Sequence, residues 1–301
     1  TLTHGLRKSH TPRILIGKDT RRSCYMLETA LAAGICSAGG DALLLGPIPT
    51  PAVAFLVKSM RADAGVMISA SHNAFEDNGI KLFGADGYKF DDDFELSLEQ
   101  GILNPLPEQE LPLGADVGRI RRLDEALGRY IVFAKTAFPA GMTLDGLRVA
   151  IDCANGAAYK VAPSALEELG AEVIAVGTTP NGANINDGVG SLYPHNLGAV
   201  VRENNCHVGL CLDGDADRLI VVDEHGAPVD GDQLMAINAL KLMDEGRLAN
   251  KTLVATVMSN LALDRCLESA GGQVVRTQGA ARSWLGPLRR RWRTLRDGPT
   301  G

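Results

Sequence analysis

A chain of 301 residues that is 45% hydrophobic and 22% charged has the composition of a soluble globular protein, with length enough for two or three domains. No run approaches the roughly 20 apolar residues of a membrane helix, so a membrane-spanning role is excluded and no membrane partner is expected. The formal charge of -6 is unevenly spread: residues 279–301 hold six Arg against one Asp, together with Trp284 and Trp292, and the rest of the chain is correspondingly more acidic.

The N-terminus, "TLTHGLRKSH", has neither Met nor an apolar segment. It reads as neither a signal peptide nor a natural start, and the chain is expected to begin inside a longer protein. "RILIG" at 13–17 predicts a strand, followed by a helix over about 22–39. "DALLLG" predicts a second strand ahead of a helix starting near Thr50, and "AGVMIS" a third that leads into "SASHN". Such βαβα alternation favours a mostly parallel sheet with helices on its faces. "NPLPEQELPLGAD" (104–116) reads as a break, followed by a helix over about 118–138.

A second alternation opens at "LRVAIDCANGAA" and runs through a helix at about 160–169, then "AEVIAVG", "HVGLCLD" and "RLIVVD". A third has a helix after Asp232, "TLVATV", a helix over about 261–271, and "QVVRT". The partition that follows is a first α/β domain over 1–140, a second over 141–232, a partial third over 233–277, and a tail over 278–301. The six cysteines, Cys24, Cys36, Cys153, Cys206, Cys211 and Cys266, form no C-x-x-C pair. They read as reduced, buried thiols of a cytoplasmic protein in preference to disulfides or a zinc site.

"CLDGDADRLIVVDEHG" puts Asp213, Asp215 and Asp217 at alternate positions directly after a strand. Carboxylates so close repel one another unless a cation joins them. A hard divalent ion suits oxygen ligands from a tight loop, with Gly214 letting the backbone turn, and Mg²⁺ leaves coordination positions for water or phosphate. A solvated acidic loop is one rival. A calcium EF-hand is another, but its sixth position should be Gly and is Arg218, and the flanks look like strands. Arg218 beside the carboxylates can hold a phosphate that bridges to the metal, so the loop suggests phosphoryl chemistry.

Loops at strand ends are where open α/β sheets bind ligands. "SASHN" lies at such an end and displays Ser69, Ser71, His72 and Asn73. "ISASHNAFEDNGIKLFGADGYKF" together with "LDGDADR" resembles the α-D-phosphohexomutases, most of all their bacterial phosphoglucosamine mutase branch. "GKDTRRS", "GPIPTPAVAFL", "IDCANGAA" and "PNGANINDGVGSLYP" add to the resemblance, which covers about residues 13–277.

The resemblance implies consecutive three-layer α/β domains with mixed, mostly parallel sheets. It implies an isomerase that interconverts glucosamine 6-phosphate and glucosamine 1-phosphate through a phosphoserine and a bisphosphate, on the way to UDP-N-acetylglucosamine and cell-wall precursors. The partner is then a small hexosamine phosphate and the cofactor Mg²⁺. Carried onto this chain, Ser71 is the phosphoserine, and Asp213, Asp215 and Asp217 hold the metal with a phosphoseryl oxygen of Ser71. Lys81 and His72 become candidates for proton transfer and charge stabilisation, and Arg21 and Arg218 for steadying the phosphoryl group. Phosphoryl transfer asks mainly for in-line positioning and for cations around the moving group, and these residue types supply both.

Three motifs of the family do not occur in this sequence: a starting segment of type F-G-T-D-G-I-R-G, a third-domain sugar loop of type G-E-x-S-G, and a fourth-domain phosphate loop of type R-x-S-G-T-E. The third domain is therefore expected to be incomplete and the fourth absent. The Arg/Trp-rich tail reads as a frameshift near Gln278 in preference to a nucleic-acid or anionic-membrane patch, and no nucleic-acid partner is expected. An incomplete third domain predicts poor solubility of the whole chain, improved by cutting near Asp232. The rival functions are a non-catalytic remnant that binds metal or sugar phosphate, a phosphomannomutase or phosphoglucomutase of the same family, and a metal-dependent phosphatase.

Overall fold

A computed structural model describes residues 2–6, 10–104 and 112–277. The tail with Trp284 and Trp292 and the middle of the Pro- and acid-rich break lie outside the described residues. Residues through Pro228 form one compact unit and those from Val229 a second. Among the described residues, no helix is long and apolar enough to cross a membrane.

The chain begins with a short helix α1 (Leu2–Gly5), then β1 (Arg13–Lys18), α2 (Arg22–Ser37), β2 (Asp41–Pro47), α3 (Thr50–Ser59), β3 (Ala64–Ile68), β4 (Ile80–Gly84), α4 (Asp92–Leu103), β5 (Ile120–Arg122) and α5 (Ala126–Lys135). The first sheet has the order β4-β3-β1-β2-β5, parallel throughout except for the antiparallel β3–β4 pair. Every residue of β1 after Arg13 is buried. A strand covered on both faces needs apolar residues at consecutive positions, which is why "RILIG" shows no alternation. Ile14 and Ile16 pack with Cys24, Ala32 and Ile35 of α2, while Leu15 faces Val53, Leu56 and Val57 of α3. Strand direction alone thus sorts one run of residues into two cores. Helix α3 lies so close that a Cβ on Gly17 or Gly65 would come within 2.4 Å of Val53 or Val57.

The helix expected over 118–138 is instead a strand followed by a shorter helix. Residues 120–122 pair with β2, Ala42 opposite Ile120 and Leu44 opposite Arg122. The free edge of β2 offers these residues backbone partners, and that tertiary pairing overrides their local preference. Besides the short α1, two helices absent from the sequence reading are also present among the described residues. Helix α4 is capped by the Asp91 side chain, which accepts from the Phe94 N–H at 2.8 Å. The other is α7 below.

The second sheet is built from β6 (Arg148–Asp152), α6 (Val161–Glu168), β7 (Glu172–Val176), α7 (Pro194–Glu203), β8 (Val208–Leu212), β9 (Leu219–Val222) and β10 (Pro228–Val229). Its order is β10-β9-β8-β6-β7, with β6 parallel to β7 and β8, and β8–β9 antiparallel. Leu197 and Val201 of α7 pack with Ala150, Cys206, Cys211 and Val222. Each of these two sheets contains an antiparallel hairpin, β3–β4 in the first and β8–β9 in the second, and the two connections are the serine stretch and the acidic stretch.

The second unit holds α8 (Gly231–Asp244), β11 (Thr252–Thr256), α9 (Leu261–Ser269) and β12 (Gln273–Thr277). Strands β11 and β12 run parallel. Ala239, Ala255, Leu263 and Leu267 form its core. Helix α8 starts with a capping box between Asp230 and Gln233.

Candidate active site

Residues 69–79 join β3 to β4. The Ser69 N–H donates to the Gly79 carbonyl at 2.9 Å, which closes the base of this loop. Because β4 returns antiparallel with Lys81 opposite Met67, the lysine comes back beside the loop it follows. Ser71 itself has a φ of 54°, in the left-handed region that a non-glycine residue enters only when its surroundings hold it there.

What holds it is a buried polar network. The Asp19 carboxylate, just past β1, accepts from Ser69 Oγ at 2.6 Å and from Arg21 Nε at 2.9 Å. Ser69 Oγ in turn accepts from the Ser71 N–H at 2.9 Å. Arg21 is fully buried, and its guanidinium donates to the carbonyls of Ser71 at 3.2 Å, Asn73 at 2.9 Å and Asp77 at 3.1 Å, and to that of Ala74. All five of its N–H groups are thus engaged by protein acceptors. The expectation that Arg21 steadies the transferring phosphoryl group is corrected accordingly: no donor remains for a phosphate, and the side chain braces the loop instead.

Residues 213–218 join β8 to β9. Asp213 accepts from the Asp217 and Arg218 N–H groups, each at 3.1 Å, and from the Ser71 hydroxyl at 2.5 Å. Asp215 accepts from Lys81 Nζ at 2.5 Å and from the Thr50 hydroxyl, while its other carboxylate oxygen is buried without a hydrogen-bond partner. Asp217 accepts from Lys81 Nζ at 3.0 Å. One oxygen from each of the three aspartates lies within 4.8 Å of the others. Gly214 lies in the turn as expected, though without a left-handed φ; that conformation falls on Ala216, at φ 55°. Glycine is required at 214 because a Cβ there would sit 2.5 Å from the Ser71 carbonyl oxygen.

The electrostatics follow from this crowding. Burial raises the Asp213 pKa and the Asp215 and Asp217 charges raise it further, against the lowering effect of the Ser71 hydroxyl and the Arg218 N–H. Burial would lower the Lys81 pKa, but its hydrogen bonds and attraction to Asp215 and Asp217 outweigh that, and the net shift is upward. Lys81 is therefore an ammonium that partly neutralises the triplet. A buried carboxylate oxygen with no partner, inside a convergent set of hard oxygen donors, fits a hard divalent cation.

His72 Nδ1 lies 3.5 Å from Ser71 Oγ, at the outer edge of hydrogen-bond reach. Arg218 is exposed, and among the described residues no acceptor engages its guanidinium. Ser71, His72, Lys81, Asp213, Asp215 and Asp217 are thus brought together from two sheets, with Arg218 on the rim. Three contributors carried no assigned role in the sequence reading: Asp19, Thr50 and Asn186. Asn186 Nδ2 donates to the Ser71 carbonyl at 2.9 Å and to that of Asn73 at 3.0 Å. Each lies within a segment that carries the resemblance, but only the fold shows what they touch. All six cysteines are free thiols, and burial pushes the pKa of Cys153 and Cys211 up to about 12.

Residues 2–107, 129–226 and 230–279 match, in turn, the alpha/beta/alpha domains I, II and III of phosphoglucomutase/phosphomannomutase. A phosphoglucosamine mutase of Syntrophotalea carbinolica is 57% identical over 95% of the chain and 63% of its own length. One from Nitratidesulfovibrio vulgaris is 58% identical over 88% of the chain and 59% of its own length. The chain thus spans about three-fifths of the curated relatives it matches. A solved structure of a phosphoglucomutase/phosphomannomutase family protein from Burkholderia thailandensis, 23% identical, shares the fold with a TM-score of 0.80 over 95% of this chain and 62% of that one. With three consecutive domains of one family in their family order and relatives at this identity, the chain belongs to the phosphoglucomutase/phosphomannomutase, or α-D-phosphohexomutase, family.

Proposed function

We propose that the chain carries the phosphate-transfer centre of a phosphoglucosamine mutase, interconverting glucosamine 6-phosphate and glucosamine 1-phosphate. The observation that carries this reading is the 2.5 Å hydrogen bond from Ser71 Oγ to Asp213, which joins a strained serine of one sheet to the acidic triplet of another. The identity of 57–58% to phosphoglucosamine mutases supports a hexosamine phosphate as substrate. The free thiols are in keeping with a cytoplasmic enzyme, whose product would feed UDP-N-acetylglucosamine and cell-wall precursor synthesis.

Asp213, Asp215 and Asp217, with an oxygen on Ser71, would hold Mg²⁺, which neutralises charge on a phosphoryl group and polarises it. The chain's own residues account for the rest. Phospho-Ser71 faces the sugar's free hydroxyl; the serine P–O bond breaks as a sugar P–O bond forms, and the hydroxyl proton leaves to a base. The resulting bisphosphate turns over and returns its other phosphate to Ser71. His72 is placed to move the proton at Ser71 Oγ. Lys81, held protonated, offsets charge and can return a proton to the sugar oxygen. Arg218 has its guanidinium free to engage phosphate oxygens.

A coupled assay for glucosamine 1-phosphate on the purified chain, beside Ser71→Ala, tests the proposal. Turnover above that control supports it. Conversion no greater than the control leaves a binding remnant, and inorganic phosphate without isomer would mean a phosphatase.

A further inference from the structure

The Ser71 and Asn73 carbonyls each receive two donors, and the two pairs come from different sheets. Arg21 Nη2 reaches both at 3.2 and 2.9 Å from the end of β1, and Asn186 Nδ2 reaches both at 2.9 and 3.0 Å from the connection between β7 and α7. Asn186 is itself fixed: it is buried, its N–H donates to the Ala154 carbonyl at 2.9 Å, and its φ is 59°. Asparagine is among the few residues with a side chain that tolerate that conformation. Its amide also borders Gly214, where a Cβ would lie 2.9 Å from Asn186 Nδ2 and 2.5 Å from the Ser71 carbonyl. The peptide of Ser71 therefore sits in a slot whose walls are Arg21, Asn186 and Gly214. Two donors sharing two acceptors fix both the translation and the tilt of that peptide.

We propose that Asn186 is a positioning residue for the phosphate carrier: its amide ties the serine loop to the β7–α7 connection of the sheet that bears the carboxylates, and so sets where Ser71 Oγ stands relative to them. The inference rests on reading Ser71 as the carrier. Arg21 alone would hold the loop's backbone to its own sheet; Asn186 couples that backbone to the sheet that bears Asp213, beside the side-chain bond from Ser71 to Asp213. In a transfer reaction a displacement of about 1 Å at the reacting atom costs on the order of 100-fold in rate.

Two variants separate the amide's role from the backbone's. Asn186→Asp keeps shape but turns a donor toward two carbonyls into a repelling oxygen. Asn186→Gly keeps the left-handed backbone and removes the side chain. Val201→Ala, a cavity in the core of the same sheet, serves as a control of comparable destabilisation. The first readout is amide hydrogen exchange by mass spectrometry, which needs no turnover. Faster exchange in peptides covering 69–79 for both Asn186 variants, with β6 unchanged and Val201→Ala without this local effect, is the expected result. The second readout is phosphate uptake on Ser71 from glucose 1,6-bisphosphate with Mg²⁺. It should fall about 10- to 100-fold in the Asn186 variants and stay within about twofold in Val201→Ala. Exchange in 69–79 equal to the unmodified chain, or parallel losses in all three variants, overturns the inference. If the unmodified chain takes no phosphate on Ser71, the carrier reading fails, and the exchange of the loop alone decides what Asn186 does.

Discussion

The serine loop and the acidic loop are both connections of an antiparallel hairpin within a mixed sheet, yet they are held in opposite ways. In the serine loop almost every polar group is answered: Arg21 gives it four of its five N–H donors and the fifth to Asp19, Asp19 and Ser69 anchor the Ser71 N–H, and Asn186 doubles the contacts to two carbonyls. In the acidic loop, charge is left over. Of the three carboxylates only Asp215 and Asp217 pair with the Lys81 ammonium, and among the described residues nothing bonds the other, buried oxygen of Asp215. One loop is finished by the protein itself; on the proposed reading the other would be completed by a cation and a phosphate. Loss of a contact should therefore cost stability in the first loop and affinity in the second.

The largest effect is expected at the one atom the two loops share. Ser71→Ala should reduce phosphate uptake from glucose 1,6-bisphosphate to background, read as the absence of the phosphopeptide by mass spectrometry, while hydrogen exchange in 69–79 stays close to that of the unmodified chain. Next is Asp213→Asn, which should weaken Mg²⁺ binding by more than about 100-fold in calorimetry, since a ligand should matter at least as much as the partners that orient it. The same change relieves carboxylate repulsion, so the metal-free variant should melt higher than the unmodified chain at neutral pH. A lower melting temperature there would erase the contrast between the loops.

Arg21→Met tests the other side. It leaves the Asp19 carboxylate buried without its cation, and breaking such a pair costs about 3–5 kcal/mol. Urea unfolding should show that loss with or without Mg²⁺. Thr50→Val removes the hydroxyl that donates to Asp215 and should lower Mg²⁺ affinity roughly 10-fold with little change in metal-free stability. An equal loss of stability would mean that Thr50 belongs to the packing and not to the ion site.

The smallest effect is a pH dependence. The Asp213 pKa is raised by burial and by its neighbours' charges, so the metal-free fold binds a proton there that the unfolded chain releases at lower pH. Its contribution to stability is complete below the ordinary carboxylate range and is lost as pH rises through the raised value. Melting curves of the unmodified chain minus those of Asp213→Asn, in EDTA, should therefore fall with rising pH across that window. Added Mg²⁺, which competes with the proton, should reverse the slope.

Much of this was legible in the residues. The continuous apolar runs of β1, β2 and β3 mark strands buried on both faces, and alternate aspartates after a strand mark an oxygen-rich loop whatever lies opposite. Arg21 took its expected place at the phosphoryl group from the family resemblance alone, and only burial with five protein acceptors reveals a brace. Residues 120–122 were read as helix because their strand partner, β2, lies far away along the chain. Asn186 and Thr50 carry no chemical signature of their own; each acts through one hydrogen-bonding group whose acceptor lies more than a hundred residues away.

By itself the sequence determined the α/β alternation and the oxygen-rich character of the acidic loop, because these depend on periodicity and on residue types at short spacing, and its motifs carried the resemblance to the family. The tertiary structure decided which groups meet. Ser71 and Asp213 are 142 residues apart and become hydrogen-bonded at 2.5 Å only because two antiparallel hairpins present their connections to each other. It also decided which ionisable groups are spent on the fold and which are left for a ligand, since that depends on burial and on the count of acceptors within reach, and neither is a property of a residue taken alone.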